Sequence, residues 1–166
     1  MLKTLARVRV PLGFVSALVA FALARPTWHV WSIGLTVAAA GEAVRIWAAG
    51  HIDKGREITT SGPYRFLRHP LYTGSALIGV GFACAARSLP VFAIVALYLL
   101  ITITAAVRTE EAELDRQFRG AYSDYRAGMM ASVVRRFSWA RAFRNREHRA
   151  VMGLIAAFVF LAWRAR

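Results

Sequence analysis

The stretch Thr60-Ser61-Gly62-Pro63-Tyr64-Arg65-Phe66-Leu67-Arg68-His69-Pro70-Leu71-Tyr72-Thr73-Gly74 decides how the chain is read. Its fifteen residues gather two prolines, two glycines, two arginines, two tyrosines and a histidine, and an apolar run follows directly. Gly62-Pro63 marks a turn, and Pro70 disfavours helical backbone at His69 while suiting the first position of a helix. Backbone rules alone therefore present His69 at a helix start. Two readings stay open at this level. The arginines and tyrosines form an interfacial belt against lipid headgroups, or they form one wall of a site.

Working outward, the 166-residue chain is 57% hydrophobic with a mean hydropathy of +0.43, above the roughly 45–50% apolar content of soluble domains. A bilayer needs about 20 mostly apolar residues per helix, or somewhat fewer when flanking arginines snorkel. Apolar runs at 10–24, 30–50, 71–86, 88–107 and 150–163 predict an all-α integral membrane protein. The expected architecture is one membrane domain over 1–166, a bundle of about five transmembrane helices. The first run follows a basic N-terminus, as a signal peptide would, but Arg25-Pro26-Thr27-Trp28 offers no small-x-small cleavage site, so it reads as a retained span. The fifth run either crosses, with Arg149, Trp163 and Arg164 anchoring its ends, or lies in the interface.

The net charge of +13 is matched by anionic lipid headgroups, and apolar runs of this length argue against a nucleic-acid-binding domain. On alternate sides of the predicted spans lie 17 and 4 basic residues, the four being Arg25, Arg87, Arg164 and Arg166, with Arg45 inside a span. The positive-inside rule then makes the N-terminus and the two polar segments, 52–70 and 108–149, cytoplasmic. Cys84 is the only cysteine, and His29, His51, His69 and His148 are scattered, so neither a disulfide within the chain nor a metal site is expected.

Other residues have the chemistry for a site. Glu42 and Arg45, three apart in the second span, can pair on one helix face or serve as an intramembrane functional couple. Gly74, Ser75, Gly79 and Gly81 give the third span a small-residue face for close helix packing. After the fourth span, Leu114, Phe118, Tyr122 and Tyr125 recur at helical spacing and predict an amphipathic helix, with Glu110 one turn before Leu114 on the same face. The basic stretch 135–149 reads as interfacial.

Gly62 to Gly74 of the opening stretch, followed about 36 residues later by Glu110-Glu111-Ala112-Glu113-Leu114 and upstream by Gly41-Glu42-Ala43-Val44-Arg45-Ile46-Trp47-Ala48, resembles the isoprenylcysteine carboxyl methyltransferase family. That family is related in layout to phospholipid N-methyltransferases. The resemblance covers residues 41–125. It implies methyl transfer from S-adenosylmethionine at the cytoplasmic face to a lipophilic small molecule, lipid or isoprenyl-type acceptor. By family analogy the cofactor is held by Arg56, Glu57, Ile58 and Thr59, by Tyr64, by His69, Pro70, Leu71 and Tyr72, and by Glu110. Ala106 stands where the family's substrate arginine is expected, four before Glu110, so that role passes to Arg108, with Glu111 beside it. Two other readings fit part of the pattern: a sterol-type membrane reductase using NADPH, which has a similar His-Pro-x-Tyr-x-Gly element, and a non-catalytic membrane scaffold.

Overall fold

The computed structural model describes residues 2–53, 55–118, 124–125, 127, 129 and 135–166, with 2–10 described as helix path alone. Among the described residues the chain is helical: α1 spans Leu2–Leu23, α2 Trp28–Ala49, α3 Pro70–Ala86, α4 Leu89–Gln117, α5 Trp139–Arg144 and α6 Glu147–Arg164, with a 3-10 turn at Gly62–Arg65 between α2 and α3. The five apolar runs therefore lie in α1, α2, α3, α4 and α6. One of these helices, α4, is long and apolar enough by itself to cross a bilayer, while Pro11–Leu23 and Pro70–Ala86 are apolar but shorter.

Small side chains fill the core, and many large apolar ones lie on the outside. The fully buried core is built largely from alanines, Ala24, Ala38, Ala85 and Ala86 among them, closed by Val91, Phe158 and Leu161. Large aliphatic and aromatic side chains such as Phe14, Leu18, Leu97, Leu100, Ile155 and Val159 face outward. Small residues let the helix backbones approach closely. Helices α2 and α3 show it most clearly. A Cβ on Gly41 would fall 2.7 Å from the Gly74 carbonyl oxygen, and one on Gly81 would fall 2.5 Å from that of Gly34. The small residues of the third apolar run thus bring two backbones together.

No break separates the fourth apolar run from an amphipathic helix, because α4 runs unbroken through Gln117 and ends at Phe118. The stretch from Val107 to Gln117 contains no proline or glycine to stop it, so Glu110 and Glu111 stand on the extension of α4 itself. Tyr122 lies outside the described residues.

The C-terminal segment is tied to the end of α2 by hydrogen bonds as well as by the Phe137 ring, which packs on Gly50 and His51. A helix leaves its last carbonyls without partners. Here Gly50 O accepts from Ser138 N at 3.0 Å and Arg141 Nε at 2.8 Å, and Asn145 Nδ2 donates to Ala49 O at 2.9 Å and Ile52 O at 3.2 Å. Part of the basic stretch that reads as interfacial is therefore a clamp. It brings the start of α6 to the same end of the bundle as His69 and Glu110.

Candidate functional site

The opening stretch folds as its prolines and glycines require. Gly62 has φ +59, and a Cβ there would lie 2.6 Å from the His51 ring, so glycine is needed on both counts. Pro63 is the second residue of the 3-10 turn, and His69, with φ −131 and ψ 62, precedes Pro70 at the first position of α3. The His69 carbonyl accepts from the backbone N–H of Tyr72 and Thr73, both at 3.0 Å. Its ring is left to turn toward α4. Nε2 lies 3.2 Å from Oε1 of Glu111, the imidazole N–H donating and the carboxylate accepting.

Between this turn and α4 is a cavity of about 380 Å³ lined by Tyr64, His69, Leu71, Tyr72 and Glu110, with Arg45 and Arg68 also on its wall. The start of α6 completes it with Asn145, Arg146 and Glu147. Three segments distant in sequence thus meet in one concavity of a size that holds a small ligand. Tyr64 is buried, and its hydroxyl has no hydrogen-bond partner among the described residues. Its backbone carbonyl accepts from the Tyr125 hydroxyl at 3.1 Å. Burial, and then the nearby Glu110 carboxylate, push the Tyr64 phenol far above the ordinary tyrosine range, so it is a neutral donor at any physiological pH.

Arg45 crosses from α2 to α6. Its Nη2 lies 2.9 Å from Oε1 and 3.0 Å from Oε2 of Glu147, and its Nε lies 3.2 Å from Oε2. It also donates to Ser75 Oγ and to the Leu71 carbonyl. The pairing expected within α2 is loose by comparison, since Arg45 Nε is 3.9 Å from Glu42. Both oxygens of the buried Glu42 lack a hydrogen-bond partner among the described residues. Glu147, on the facing helix, meets the guanidinium fork with both carboxylate oxygens, the geometry that makes the stronger pair.

The remaining residues singled out from sequence take other places. Leu71 and Tyr72 line the cavity, while Pro70 is buried in the α3 start beneath them. Arg56 is exposed and 3.8 Å from Asp53, whereas Glu57 holds Arg135 at 2.6 Å. Ile58 and Thr59 are buried in the segment leading to the turn, and the Thr59 hydroxyl lacks a partner among the described residues. Arg108 is exposed on α4 and is not on the cavity wall, whereas Glu111 stands behind His69 and orients it. Sequence reading missed Asn145, Arg146 and Glu147. One signal was available, since Glu147 is the only acidic residue after Asp124, in a strongly basic stretch at the start of an apolar run.

The donor set suits a zwitterionic ligand that also carries a delocalised or onium cation. Arg68 and Arg146 offer anion recognition, Glu110 accepts from ammonium or hydroxyl groups, and Tyr64, His69 and Tyr72 offer ring faces. Among the described residues no three His, Cys, Asp or Glu side chains converge as ligands of a metal ion.

The chain is 36% identical over 98 residues to the nickel-cobalt-cadmium resistance protein NccN of Alcaligenes xylosoxydans xylosoxydans, covering 58% of this chain and 44% of the relative. It is 36% identical over 88 residues to the cobalt-zinc-cadmium resistance protein CzcN of Cupriavidus metallidurans, covering 52% of this chain and 39% of the relative. The matched region thus spans less than half the length of either relative. No solved structure matches. Residues 12–121, from α1 through the Glu110 segment of α4, match the model of the family described as phospholipid methyltransferase, and the chain belongs to that membrane-associated family.

Proposed function

We propose that the chain is a multi-pass enzyme of the cytoplasmic membrane that methylates a lipophilic acceptor, with S-adenosylmethionine held in the Glu110 cavity. The observation that carries this reading is the meeting of Tyr64, His69 and Tyr72 with Glu110 in one polar cavity at a single end of an apolar bundle. In this reading the five apolar helices cross the membrane, and the excess of basic residues beside the cavity supports a cytoplasmic position for that end.

The cavity fits the cofactor by the chemistry of its donors and by the unpartnered Tyr64 hydroxyl on its wall. Adenosylmethionine supplies a methyl group already activated by its sulfonium. Glu110 would hold the ammonium or ribose hydroxyls, Arg68 or Arg146 the carboxylate, and the rings of Tyr64 and Tyr72 would face the cation. What the chain itself contributes is alignment and exclusion of water. Glu111 fixes the His69 ring, the Arg45–Glu147 pair closes α6 onto α2, and the packed α2–α3 interface keeps both walls rigid. No covalent enzyme intermediate is needed. Arg108 and Glu111 stand nearest to the acceptor's approach by family analogy, and the acceptor is a lipid or isoprenyl-type molecule entering from the bilayer. The two relatives are named for metal resistance, and a contribution of this chain to such resistance would run through its methylated product.

The test is calorimetric titration of the purified chain in detergent with adenosylmethionine, its demethylated product and NADPH, for the parent and for Glu110→Ala and His69→Ala. Both adenosyl ligands are expected to bind the parent, with a loss of at least about tenfold in each variant, equivalent to 1.4 kcal/mol. Unchanged affinity in both variants removes the site assignment. Binding of NADPH without adenosylmethionine favours a reductase instead. Labelled methyl transfer into fractionated membrane lipid identifies the acceptor.

A further inference from the structure

The end of the bundle opposite the Glu110 cavity carries a second polar concavity, of about 610 Å³. Arg25, Arg87, Arg164 and Arg166 line it together with Trp163, and no acidic side chain does. These are the four basic residues that run against the positive-inside count. Beside it an apolar groove of about 900 Å³ lies between α1 and α6, floored by Phe82 of α3 and by Ile94, Val95 and Tyr98 of α4. Arg164 borders both spaces. We propose that the two together bind one anionic phospholipid of the non-cytoplasmic leaflet, its phosphate among the arginines and an acyl chain in the groove, distinct from the methyl acceptor.

Charge decides for a ligand over a purely structural role. Arginine near a helix C-terminus can simply neutralise the helix dipole, and α1, α3 and α6 all end here. However, α2 and α4 begin here. At about half a charge per terminus, three C-termini and two N-termini leave only about −0.5 to offset four full positive charges. Among the described residues none of the four arginines has an ion-pair partner. Arg164 donates to the Phe21 and Ala22 carbonyls, which fixes its position at the head of the groove. Arg87 occupies the left-handed region at φ 47, a site where glycine is the usual choice, so its side chain is placed here against backbone preference. Trp28 and Trp163 are exposed at this same end and mark the headgroup level.

The groove suits a chain. Its α6 wall is Gly153, Ala156 and Ala157 with Phe160 and Arg164 beyond them, and a Cβ on Gly153 would meet nothing within 4 Å. Its floor reaches Tyr98, twelve residues or about 18 Å of helix before Glu110, and its α6 wall begins at Gly153, six residues or about 9 Å of helix beyond Glu147. An acyl chain seated from the arginine end therefore stops short of the Glu110 cavity.

The experiment is native mass spectrometry of the full chain in detergent with phosphatidylglycerol, with phosphatidylcholine of the same chains, or with inorganic phosphate. Phosphatidylglycerol is expected to be retained about tenfold better than phosphatidylcholine. The Arg25→Gln/Arg87→Gln variant should abolish that preference, whereas Arg144→Gln/Arg149→Gln, which removes equal charge at the other end, should keep it. Gly153→Leu, which fills open space, should weaken lipid retention without changing retention of inorganic phosphate. Equal retention of the two lipids, or an equal fall in both arginine variants, overturns the proposal. A Gly153→Leu variant that keeps full lipid retention overturns the groove assignment and leaves a free-phosphate site. The proposal rests on the multi-pass reading and not on the chemistry of the Glu110 cavity. Extraction of the chain from membranes by alkaline carbonate would sink that reading separately, and an unchanged thermal midpoint in detergent certifies each variant as folded.

Discussion

Replacing Glu147 by alanine removes the acceptor of three Arg45 hydrogen bonds, at 2.9, 3.0 and 3.2 Å. The two side chains are 20% and 8% exposed, so the pair is largely desolvated. The orphaned guanidinium would retain Ser75, the Leu71 carbonyl and a distant Glu42. Truncating one member of a buried pair costs about 3–5 kcal/mol when nothing replaces it. Glu42, already 3.9 Å away, can take over part of the role, which lowers the expectation to about 2–3 kcal/mol. For a chain of this length that is a fall of roughly 4–12 °C in thermal midpoint, read by unfolding in detergent. Arg45→Ala should cost more, because it leaves the buried carboxylates of Glu42 and Glu147 together without a cation. The double variant should be less damaging than the two losses combined, with a coupling above about 1 kcal/mol. A coupling below about 0.5 kcal/mol would refute the claim that this pair closes α6 onto α2.

Three further outcomes are expected. Gly41→Ala should destabilise by about 1–3 kcal/mol, because its Cβ would press on the Gly74 carbonyl and Leu77; Gly153→Ala, placed in open space, should be neutral or gain up to about 1 kcal/mol from helix propensity, and thermal midpoints of the two compare them directly. Tyr64→Phe should raise the stability of the ligand-free chain by about 1–3 kcal/mol by removing a buried hydroxyl without a partner, while adenosylmethionine titration shows weaker binding; stability and affinity moving the same way would argue against the hydroxyl as a ligand group. Burial raises the phenol pKa of both Tyr64 and Tyr125, so their contribution to stability is whole below the ordinary tyrosine value of about 10 and is lost as pH rises beyond it. Denaturation midpoints measured across that range should be flat and then fall, and Tyr64→Phe should remove much of the fall.

The helices and the first two walls of the site are readable in the chain because their signals are local. Pro63 and Pro70 act on adjacent backbone, apolar runs reveal themselves by length, and Glu110 and Glu111 precede Leu114 on one continuous helix. The third wall was hidden because it depends on pairing across distance. Arg45 has an acidic neighbour three residues away, and sequence spacing favours that partner, yet the guanidinium takes Glu147, 102 residues on, where two helices face each other. Arg141 and Asn145 look like surface polar residues until the unpaired carbonyls at the end of α2 are counted as acceptors awaiting donors. Arg135, likewise one of a basic run, anchors Glu57 and so steadies the segment leading to the turn.

Among the described residues, two other than glycine have positive φ, and both are arginines on the wall of a polar cavity. Arg146 opens α6 beside Glu110, and Arg87 closes α3 beside Arg25. At a helix boundary this conformation costs a residue with a Cβ about 1 kcal/mol or more relative to glycine, and it persists only where surrounding contacts over-determine it. At Arg146 those contacts are the Asn145 clamp on α2 and the Glu147 fork on Arg45, one residue to either side. Glycine would satisfy the backbone at either position but would remove the guanidinium. The chain accepts the strain at both ends of the bundle, and what it retains in each case is a positive charge directed at a cavity.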